Sequence, residues 1–467
     1  MASNDDFSAS TSVLMQPVAK DSSTFLCAFS PKGDLFAFLS FAVDRPSVSI
    51  YDTTTGQSFA QCIVDAARVT TLSWTYMEIM SDASTADNDL ALKQKQRKQP
   101  LEGGSKVEAE VEPAEVVVLG LSNGSLLVYS PSHRRVARTL SYPSSTASIL
   151  ALDVAPSTTS PNAAQFWTSG ADGYIRVWDA HTGEHLSSTR ADDRVPGTSL
   201  SILPRVPSSD DEEVSFLLAH QNIRMLATRS AETPGPKPKV QSTFTGHATS
   251  ILSLQWQPAS SEGVLPTRFA SLAEADRHVY LWDVPEPSFA EGELVASVQL
   301  DSDAKHMTFS QTPSNPVLLV LSVSGRLAIF APSADLATAP PTKKSKQKAP
   351  RLMARTTISI PQIIAPVKIV AASFVRDEQG RLRVALLAGG VKPVFDVVDF
   401  LDASGGYIPE VDVLYNESWA SLAEDGESSS VTVRQLYFTL QFLRKATPSF
   451  IYLLSLQTKT YDTQLNS

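Results

Sequence analysis

Two short stretches of this chain repeat one pattern, and the repeat constrains the fold more than any other feature. Residues 170–179 read GADGYIRVWD, and residues 273–283 read AEADRHVYLWD. In each stretch a polar turn leads into a short apolar strand that ends in Trp-Asp. The second copy also has Gly246 and His247 at the start of its unit. A repeat of this kind predicts an architecture built from several small, similar β-sheets.

The strand end marked by Trp178 and Trp282 recurs along the chain. Apolar strands reach the same position at Tyr51, Tyr129, Leu226 and Phe330. From Tyr129 onward these positions are about 48–56 residues apart, which suits units of roughly 40–50 residues with inserted loops. Several of the strands follow Asn-Gly, Asp-Gly or Ser-Gly, which are typical of tight hairpin turns. A last, irregular unit at 369–398 brings the number of units to seven.

The Gly-His start, the Trp-Asp end and the length of the unit resemble a WD repeat. We therefore predict an all-β chain that folds as a WD-repeat β-propeller with seven blades and disordered loop insertions. The propeller is expected to span residues 21–402. Its two insertions, at about 80–113 and 332–350, are polar and of low complexity, which is the composition of disordered loops.

The two ends of the chain fit the repeat less well. Residues 1–20 form an N-terminal segment in which 11–18 are a candidate closing strand, because a propeller closes on itself to remove its free sheet edges. After about residue 402 the alternation of apolar and polar residues breaks down. We expect residues 403–467 to form an irregular C-terminal tail.

Composition excludes several classes of function. The net charge is −10, so the chain as a whole is not a basic nucleic-acid binder, and contact with RNA needs a local patch. Cys27 and Cys62 lie in apolar stretches and are predicted to be buried free thiols, since a disulfide framework or a zinc site needs more cysteines. No apolar run approaches the ~20 residues that span a bilayer, so no membrane contact is predicted.

One polar constellation stands out, formed by His247, Ser271, Asp276 and Trp282. Ser, His and Asp also make up catalytic triads, but here their spacing is that of the hydrogen-bonded chain that links strands within a WD blade. We therefore predict a structural blade network. Asp172 and Trp178 are partial equivalents in an earlier unit that has no Gly-His.

The sequence contains no phosphate-binding glycine loop, no dinucleotide fingerprint and no histidine pair with convincing metal-ligand spacing. Paired acidic residues lie in polar loops of the solvated type. We therefore predict no catalytic residue, no cofactor, no metal site and no small-molecule substrate. The chain is expected not to be an enzyme.

Two basic segments are the features most open to a binding role. Their charged residues are Lys93, Lys95, Arg97 and Lys98 in the first insertion and Lys343, Lys344, Lys346 and Lys348 in the second. Basic loops in an acidic chain can bind phosphate backbones or importins. The alternative is that they are solvated linkers. Neither segment has the interleaved aromatic residues of a base-stacking surface.

A longer stretch of sequence resembles one particular family. Residues 244–254 read FTGHATSILSL, and supporting matches are CAFSP at 27–31 and GSLLVY at 124–129. Together with the late unit at 388–393, they resemble the WD-repeat subunits of the small-subunit processome, the family of U-three-associated protein five and WD repeat protein forty-three. The resemblance covers roughly residues 20–405. Its Gly-His and Trp-Asp parts are common to all WD proteins.

The resemblance implies a non-catalytic scaffold in the nucleus and nucleolus, active in early ribosome biogenesis. The implied partners are other processome WD-repeat subunits and pre-ribosomal RNA, contacted directly or indirectly, and the implied role is in transcription and processing of that RNA. Members of the family also carry a C-terminal helical domain, and this sequence shows no long amphipathic helical pattern before Ser467.

Two other hypotheses about the function stay open. A generic WD adaptor, such as a ubiquitin-ligase substrate receptor or a coat subunit, is favoured by Trp-Asp-x-Arg at strand ends. The sequences after Trp178 and Trp282 lack that arginine. An enzyme built on a propeller would need clustered polar side chains along the central channel, and none can be assigned from the sequence. Fold alone does not choose between these functions.

Overall fold

Strands make up nearly all of the regular structure in this chain. The computed structural model describes residues 26–41, 46–65, 67–80, 111–155, 164–180, 182–191, 195–204, 213–229, 238–259, 264–284, 291–312, 315–338, 349–361, 368–377, 379–389 and 394–413. The strands in these ranges form seven separate sheets, which are the blades of a propeller. The predicted all-β fold with seven blades is therefore confirmed. No helix in the described ranges is long and apolar enough to cross a membrane.

The first four blades each contain four antiparallel strands in sequence order. Blade 1 consists of β1 (Cys27–Phe29), β2 (Leu35–Phe41), β3 (Pro46–Asp52) and β4 (Ser58–Ile63). Blade 2 consists of β5 (Val69–Met80), β6 (Val111–Leu121), β7 (Leu126–Ser130) and β8 (Arg135–Leu140). Blade 3 consists of β9 (Ile149–Ala155), β10 (Gln165–Gly170), β11 (Tyr174–Asp179) and β12 (His185–Arg190). Blade 4 consists of β13 (Ser199–Ile202), β14 (Glu213–Ala219), β15 (Ile223–Arg229) and β16 (Lys239–Phe244).

The last three blades are less regular. Blade 5 begins with β17 (Ile251–Trp256), β18 (Arg268–Ala273), β19 (His278–Asp283) and β20 (Glu293–Gln299). Blade 6 begins with β21 (Ala304–Phe309), β22 (Leu318–Ser322) and β23 (Leu327–Phe330). The chain then forms helix α1 (Pro332–Thr338), β24 (Arg351–Leu352) and β25 (Thr356–Ser359). Blade 7 contains β26 (Lys368–Arg376), β27 (Leu382–Gly389) and β28 (Val394–Val398), and β29 (Glu410–Asp412) follows it. β24 adds to blade 5 beside β20, β25 is the fourth strand of blade 6, and β29 lies parallel to β25 as its fifth strand.

The recurring position that the sequence marks with Tyr, Trp or Leu lies on the third strand of each of the first five blades. It is the last residue but one of the strand in four blades and the middle residue of β15 in blade 4. There the pairing with the fourth strand shifts by one residue, immediately before Tyr51, Tyr129, Trp178, Leu226 and Trp282. Such a β-bulge bends the strand and redirects the side chain that follows it. All five side chains are buried. The recurring residue in the sequence is therefore the point where the third strand turns a large side chain into the core.

The core lies between neighbouring blades. Each apolar cluster joins residues of two successive blades, from blades 1 and 2 through to blades 6 and 7. The middle strands are accordingly covered on both faces, and all five residues of β22 are buried. A strand covered on both faces reads as a continuous apolar run and loses the alternation of a half-exposed strand.

The ring closes where blade 7 packs against blade 1. The Phe395 ring lies 5.4 Å from the Phe36 ring and 6.2 Å from the Phe29 ring, measured between centroids. Gly33 in blade 1, at a φ of +80°, approaches Val375 of blade 7 so closely that a Cβ there would lie 1.9 Å from Val375 Cγ1. In the described ranges blade 7 has three strands. The candidate closing strand at 11–18 lies outside them, so that prediction stays a prediction.

Antiparallel order places the connections of every blade alternately on two faces. The connections between second and third strands, and those between blades, lie on one face, which we name the upper face. The connections between first and second strands, and between third and fourth strands, lie on the lower face. Residues 81–110 connect β5 to β6, and residues 339–348 lie between α1 and β24, on the way from β23 to β25. Both segments therefore leave the lower face.

Two parts of the structure differ from the boundaries expected from the sequence. Helix α1 occupies the start of the second insertion: Pro332 sits at its first position, where a missing N–H costs nothing, and Gln257 Nε2 donates to Ser333 Oγ at 2.8 Å. β29 lies beyond residue 402 and extends blade 6. Phe400 and Val413 are buried in the same cluster as blades 6 and 7, which gives this part of the tail an apolar anchor.

Candidate functional site

The structure brings His247, Ser271, Asp276 and Trp282 together in blade 5. Trp282 Nε1 on β19 donates to Ser271 Oγ on β18 at 2.8 Å. Ser271 Oγ lies 2.8 Å from His247 Nε2, and His247 Nδ1 lies 2.9 Å from Asp276 Oδ2. His247 belongs to the connection from blade 4 and Asp276 to the turn between β18 and β19. One chain of hydrogen bonds therefore runs from the upper-face turn into the core.

The protonation state of His247 fixes the direction of this chain. Burial lowers the pKa of His247 below its ordinary value, against the opposing effect of Asp276, so the ring is neutral at pH 7. Its Nδ1–H then donates to Asp276, and Nε2 accepts from the Ser271 hydroxyl. The Ser271 oxygen in turn accepts from the Trp282 indole. Each polar group in the chain has a partner, as a buried network requires.

Asp276 is the acceptor that ends the chain. Burial alone would raise the pKa of Asp276, but hydrogen bonds from His247 and from His278 lower it below its ordinary value. The His278 backbone N–H donates to Asp276 Oδ1 at 2.9 Å, which closes the turn that carries the aspartate. The carboxylate therefore stays ionised and holds both the turn and the imidazole.

This arrangement does not have the access that nucleophilic catalysis needs. Ser271 is 0% exposed, and its hydroxyl is already shared between Trp282 and His247. A serine nucleophile must reach a bound substrate while its base holds it. The Ser, His and Asp of this network instead connect the strands of the blade. WD-repeat propellers in general are non-catalytic scaffolds.

The partial equivalents Asp172 and Trp178 are held differently in blade 3. Trp178 Nε1 donates to Thr168 Oγ1 at 3.4 Å, and Ser145 Oγ donates to Asp172 Oδ2 at 2.8 Å. The Arg176 guanidinium forms an ion pair with the Asp172 carboxylate. Among the described residues no histidine links the Trp178 half to the Asp172 half, so these two residues do not belong to one chain of side-chain hydrogen bonds. Sequence reasoning missed Ser145 and Arg176, although Arg176 lies four residues after Asp172.

Side chains on the inner strands also link one blade to the next, and no sequence motif marks these side chains. Asp153 on β9 accepts from the Ile202 N–H of blade 4 at 2.7 Å. Gln255 on β17 accepts from the Phe309 N–H of blade 6 at 3.1 Å. Trp74 Nε1 on β5 donates to the Ala28 carbonyl of blade 1 at 3.1 Å. These bonds add directional contacts at boundaries where separate sheets also meet through apolar packing.

The cysteines are free thiols. Burial raises the pKa of both Cys27 and Cys62 to about 12, so neither thiol ionises near neutral pH, where a reactive cysteine needs its thiolate. In the part of the chain that the structure describes, no group of three or more His, Cys, Asp or Glu side chains could hold a metal ion.

The basic residues predicted to contact RNA or importins all lie outside the described ranges. These are Lys93, Lys95, Arg97, Lys98, Lys343, Lys344, Lys346 and Lys348. Their roles stay predictions. What the structure adds is the face from which their segments leave.

Comparison with known proteins bears on the blade in which the full network forms. The family described as "WD domain, G-beta repeat" matches residues 238–283, which run from β16 through β19. No curated protein matches the chain. Of the solved structures, 1315 chains match. One is the crystal structure of the computationally designed Ika8 protein, which is 17% identical with a TM-score of 0.42 over 84% of this chain and 91% of that chain.

A likeness at that identity and TM-score says nothing about function. The seven sheets, the hydrogen-bonded network in blade 5 and the repeat match at 238–283 agree with one another. Together they identify the chain as a WD-repeat β-propeller.

Proposed function

We propose that this propeller is a scaffold in nucleolar assembly of the small ribosomal subunit. In this role it would bind other processome WD-repeat subunits and, directly or through them, pre-ribosomal RNA. WD-repeat propellers typically present their faces to protein partners, which supports the scaffold part. The nucleolar part is supported by the resemblance of residues 244–254 to processome subunits.

The observation that carries the proposal is that both lysine-rich segments leave the same face. The first replaces the turn between the first and second strands of blade 2. The second belongs to the connection between the third and fourth strands of blade 6. A chain with a net charge of −10 thus attaches both of its lysine-rich segments at the lower face. Lysine-rich segments attract a phosphate backbone, because neutralising each phosphate releases counterions.

The residues of the 244–254 stretch, which resembles the processome subunits, have separable roles. Phe244 and Ile251 are 1% and 0% exposed, and His247 belongs to the blade network, so the fold accounts for them. Thr245 is exposed, but its hydroxyl donates to Glu291 in the β19–β20 connection. Ala248 is exposed on the connection from blade 4 to blade 5, which belongs to the upper face. Only exposed positions of this kind are open to a partner, so the upper face is where we place the contact with sister subunits.

The proposal is tested by affinity purification of the tagged full chain from growing cells, with sequencing of bound RNA and mass spectrometry of bound proteins. We expect pre-ribosomal leader RNA and processome WD-repeat subunits. A variant with Lys343, Lys344, Lys346 and Lys348 changed to glutamine should recover less RNA while keeping its protein partners. A matched variant with four other exposed basic residues, Arg134, Lys239, Arg351 and Arg381, changed to glutamine controls for loss of charge alone.

Recovery of ubiquitin-ligase or coat subunits without ribosomal precursors would overturn the nucleolar proposal and establish the adaptor hypothesis. Equal loss of RNA in the two variants would show that the chain attracts RNA by overall charge, without a dedicated segment.

A further inference from the structure

A cavity of about 270 Å³ opens between blades 5, 6 and 7. Three connections line it, and all belong to the upper face: Asp301 between blades 5 and 6, residues 324–326 in the β22–β23 turn, and residues 359–360 after β25. Lys368, the first residue of β26, completes it. The cavity is smaller than the roughly 300–1,000 Å³ typical of small-molecule sites. Its size suits a single side chain presented by a partner.

The walls of this cavity are held in place by hydrogen bonds. Ser324 Oγ donates to Asp301 Oδ2 at 3.3 Å, and the Ser324 N–H donates to Ser302 Oγ at 3.1 Å. Lys368 Nζ donates to the Val323 carbonyl at 3.2 Å. Gly325 has a φ of +86°, and a Cβ there would lie 2.3 Å from Lys368 Cβ, so only glycine allows the turn to approach β26 so closely. The polar groups are therefore positioned before any ligand arrives.

The charges around the cavity favour an anion. Arg326 is exposed, and no described residue forms a hydrogen bond or ion pair with its guanidinium. Lys368 adds a second cation. Asp301 is the one carboxylate in the lining, and its oxygens already accept from Ser302 and Ser324.

We propose that this cavity binds an anionic side chain, a carboxylate or a phosphoserine phosphate, carried by an extended peptide of a partner protein. Arg326 can meet two oxygens of either group at once, which a guanidinium does well. Ile360 forms an apolar wall, and Val323, 47% exposed beside the cavity, offers an apolar contact to the neighbouring peptide residue. The site does not depend on the nucleolar role and applies to any partner that docks on the upper face.

The test uses purified full chain and fluorescein-labelled decapeptides, with binding followed by fluorescence anisotropy at low salt. The probes alternate glycine with glutamate, with phosphoserine or with lysine. We expect the glutamate or phosphoserine peptide to bind, with the tighter of the two identifying the natural group, and the lysine peptide not to bind. Added salt should weaken binding, since exposed charges are screened.

The variants separate this site from general attraction. R326Q and K368Q should each weaken binding at least fivefold, and D301N should strengthen it by removing a like charge. R277Q is the matched control: Arg277 lies on the same face, is 62% exposed and pairs with Asp303, but does not line the cavity. Its affinity should stay within twofold of wild type. Equal effects of R326Q and R277Q on peptide affinity would overturn the proposal. A second contrary outcome is competition by RNA: if an unlabelled uridine decamer displaces the peptide equally well from wild type and from R326Q, the peptide binds to a general basic surface.

Failure of the wild-type protein to bind either anionic peptide would contradict the proposal.

Discussion

Blade 5 and blade 3 both end their third strand in Trp-Asp, yet they hold the tryptophan in different ways. In blade 5 the Trp282 indole begins a chain through Ser271 and His247 to an aspartate. In blade 3 the Trp178 indole reaches only Thr168. The two tryptophans are nevertheless equally buried, at 2% and 1% exposed. Packing between blades therefore fixes the tryptophan, and the polar chain is an addition that one blade has and the other lacks.

The largest effect should come from the feature that the two blades share. Trp282→Ala and Trp178→Ala each remove a fully buried aromatic ring from a cluster between two blades. We expect each to lower the free energy of unfolding by about 3–5 kcal/mol. Urea denaturation of both variants measures this. A loss at Trp178 of less than half the loss at Trp282 would mean that the polar chain, more than packing, holds the tryptophan.

The next effect should separate the two blades. His247→Ala leaves the Ser271 hydroxyl and the Asp276 carboxylate without their shared partner inside the protein, which we expect to cost about 2–3 kcal/mol. Ser145→Ala, on the corresponding connection of blade 3, removes one hydrogen bond to Asp172 and should cost about 1 kcal/mol or less. The comparison uses the same denaturation experiment. Equal losses in the two variants would show that the histidine chain adds nothing beyond a single bond.

A smaller effect should come from the ion pair that blade 3 uses instead. Asp172→Asn keeps the shape of the side chain but removes the charge opposite Arg176, whose side chain is 8% exposed. The Tyr142 ring, 4.9 Å from the guanidinium, still covers the cation. We expect the free energy of unfolding to fall by about 1–2 kcal/mol, which lies between the loss typical of a surface ion pair and that of a fully buried ion pair. Arg176→Met together with Asp172→Asn should recover part of it, because no unpaired charge is then left in the blade.

The difference between these blades also explains how much the sequence could predict. The blade-5 network follows from a motif whose members have fixed positions within one unit, so its four residues could be named in advance. In blade 3 the partner of Asp172 is Arg176, which lies two residues before Trp178 on β11, and no motif marks that pairing. Local signals, such as the glycine turns and the recurring tryptophan position, likewise predicted seven blades.

Contacts between units were the part that sequence could not predict. Asp153, Gln255 and Trp74 look like ordinary strand residues until the ring brings the next blade beside them. The upper-face cavity joins Asp301 to Lys368 across three blades in the same way. Helix α1 was predicted as part of a disordered loop, because its anchor on Gln257 lies in another blade. Such features depend on how the blades are arranged around the ring, and the residue pattern of a single strand does not predict that arrangement.

The last prediction concerns pH and tests the same comparison without changing the packing. Because burial lowers the pKa of His247 in the folded protein, the unfolded chain binds a proton near its ordinary value of about 6.5 while the folded protein does not. By linkage, the free energy of unfolding then decreases as pH falls through about 6.5. The Asp172–Arg176 pair of blade 3 has no such step in this range: the pKa of Asp172 is lowered, so the contribution of this pair to the free energy of unfolding is lost only as pH falls below the ordinary aspartate range.

The measurement is the difference in unfolding free energy between wild type and His247→Gln, followed from about pH 7 to about pH 5. Other groups titrate here. His185 and His306 have lowered pKa values, so they act in the same direction as His247. Burial raises the pKa of Asp153 to about 6, so the contribution of Asp153 to the free energy of unfolding decreases as pH rises. These groups are present in both proteins, so they cancel in the difference. We expect the difference to shrink as pH falls, because the wild type loses the contribution of a neutral His247 and the variant has none to lose. If the unfolding free energies of wild type and variant change with pH in parallel, His247 keeps its ordinary pKa. The hydrogen-bonded chain of blade 5 would then not depend on a neutral histidine, and this difference from blade 3 would be lost.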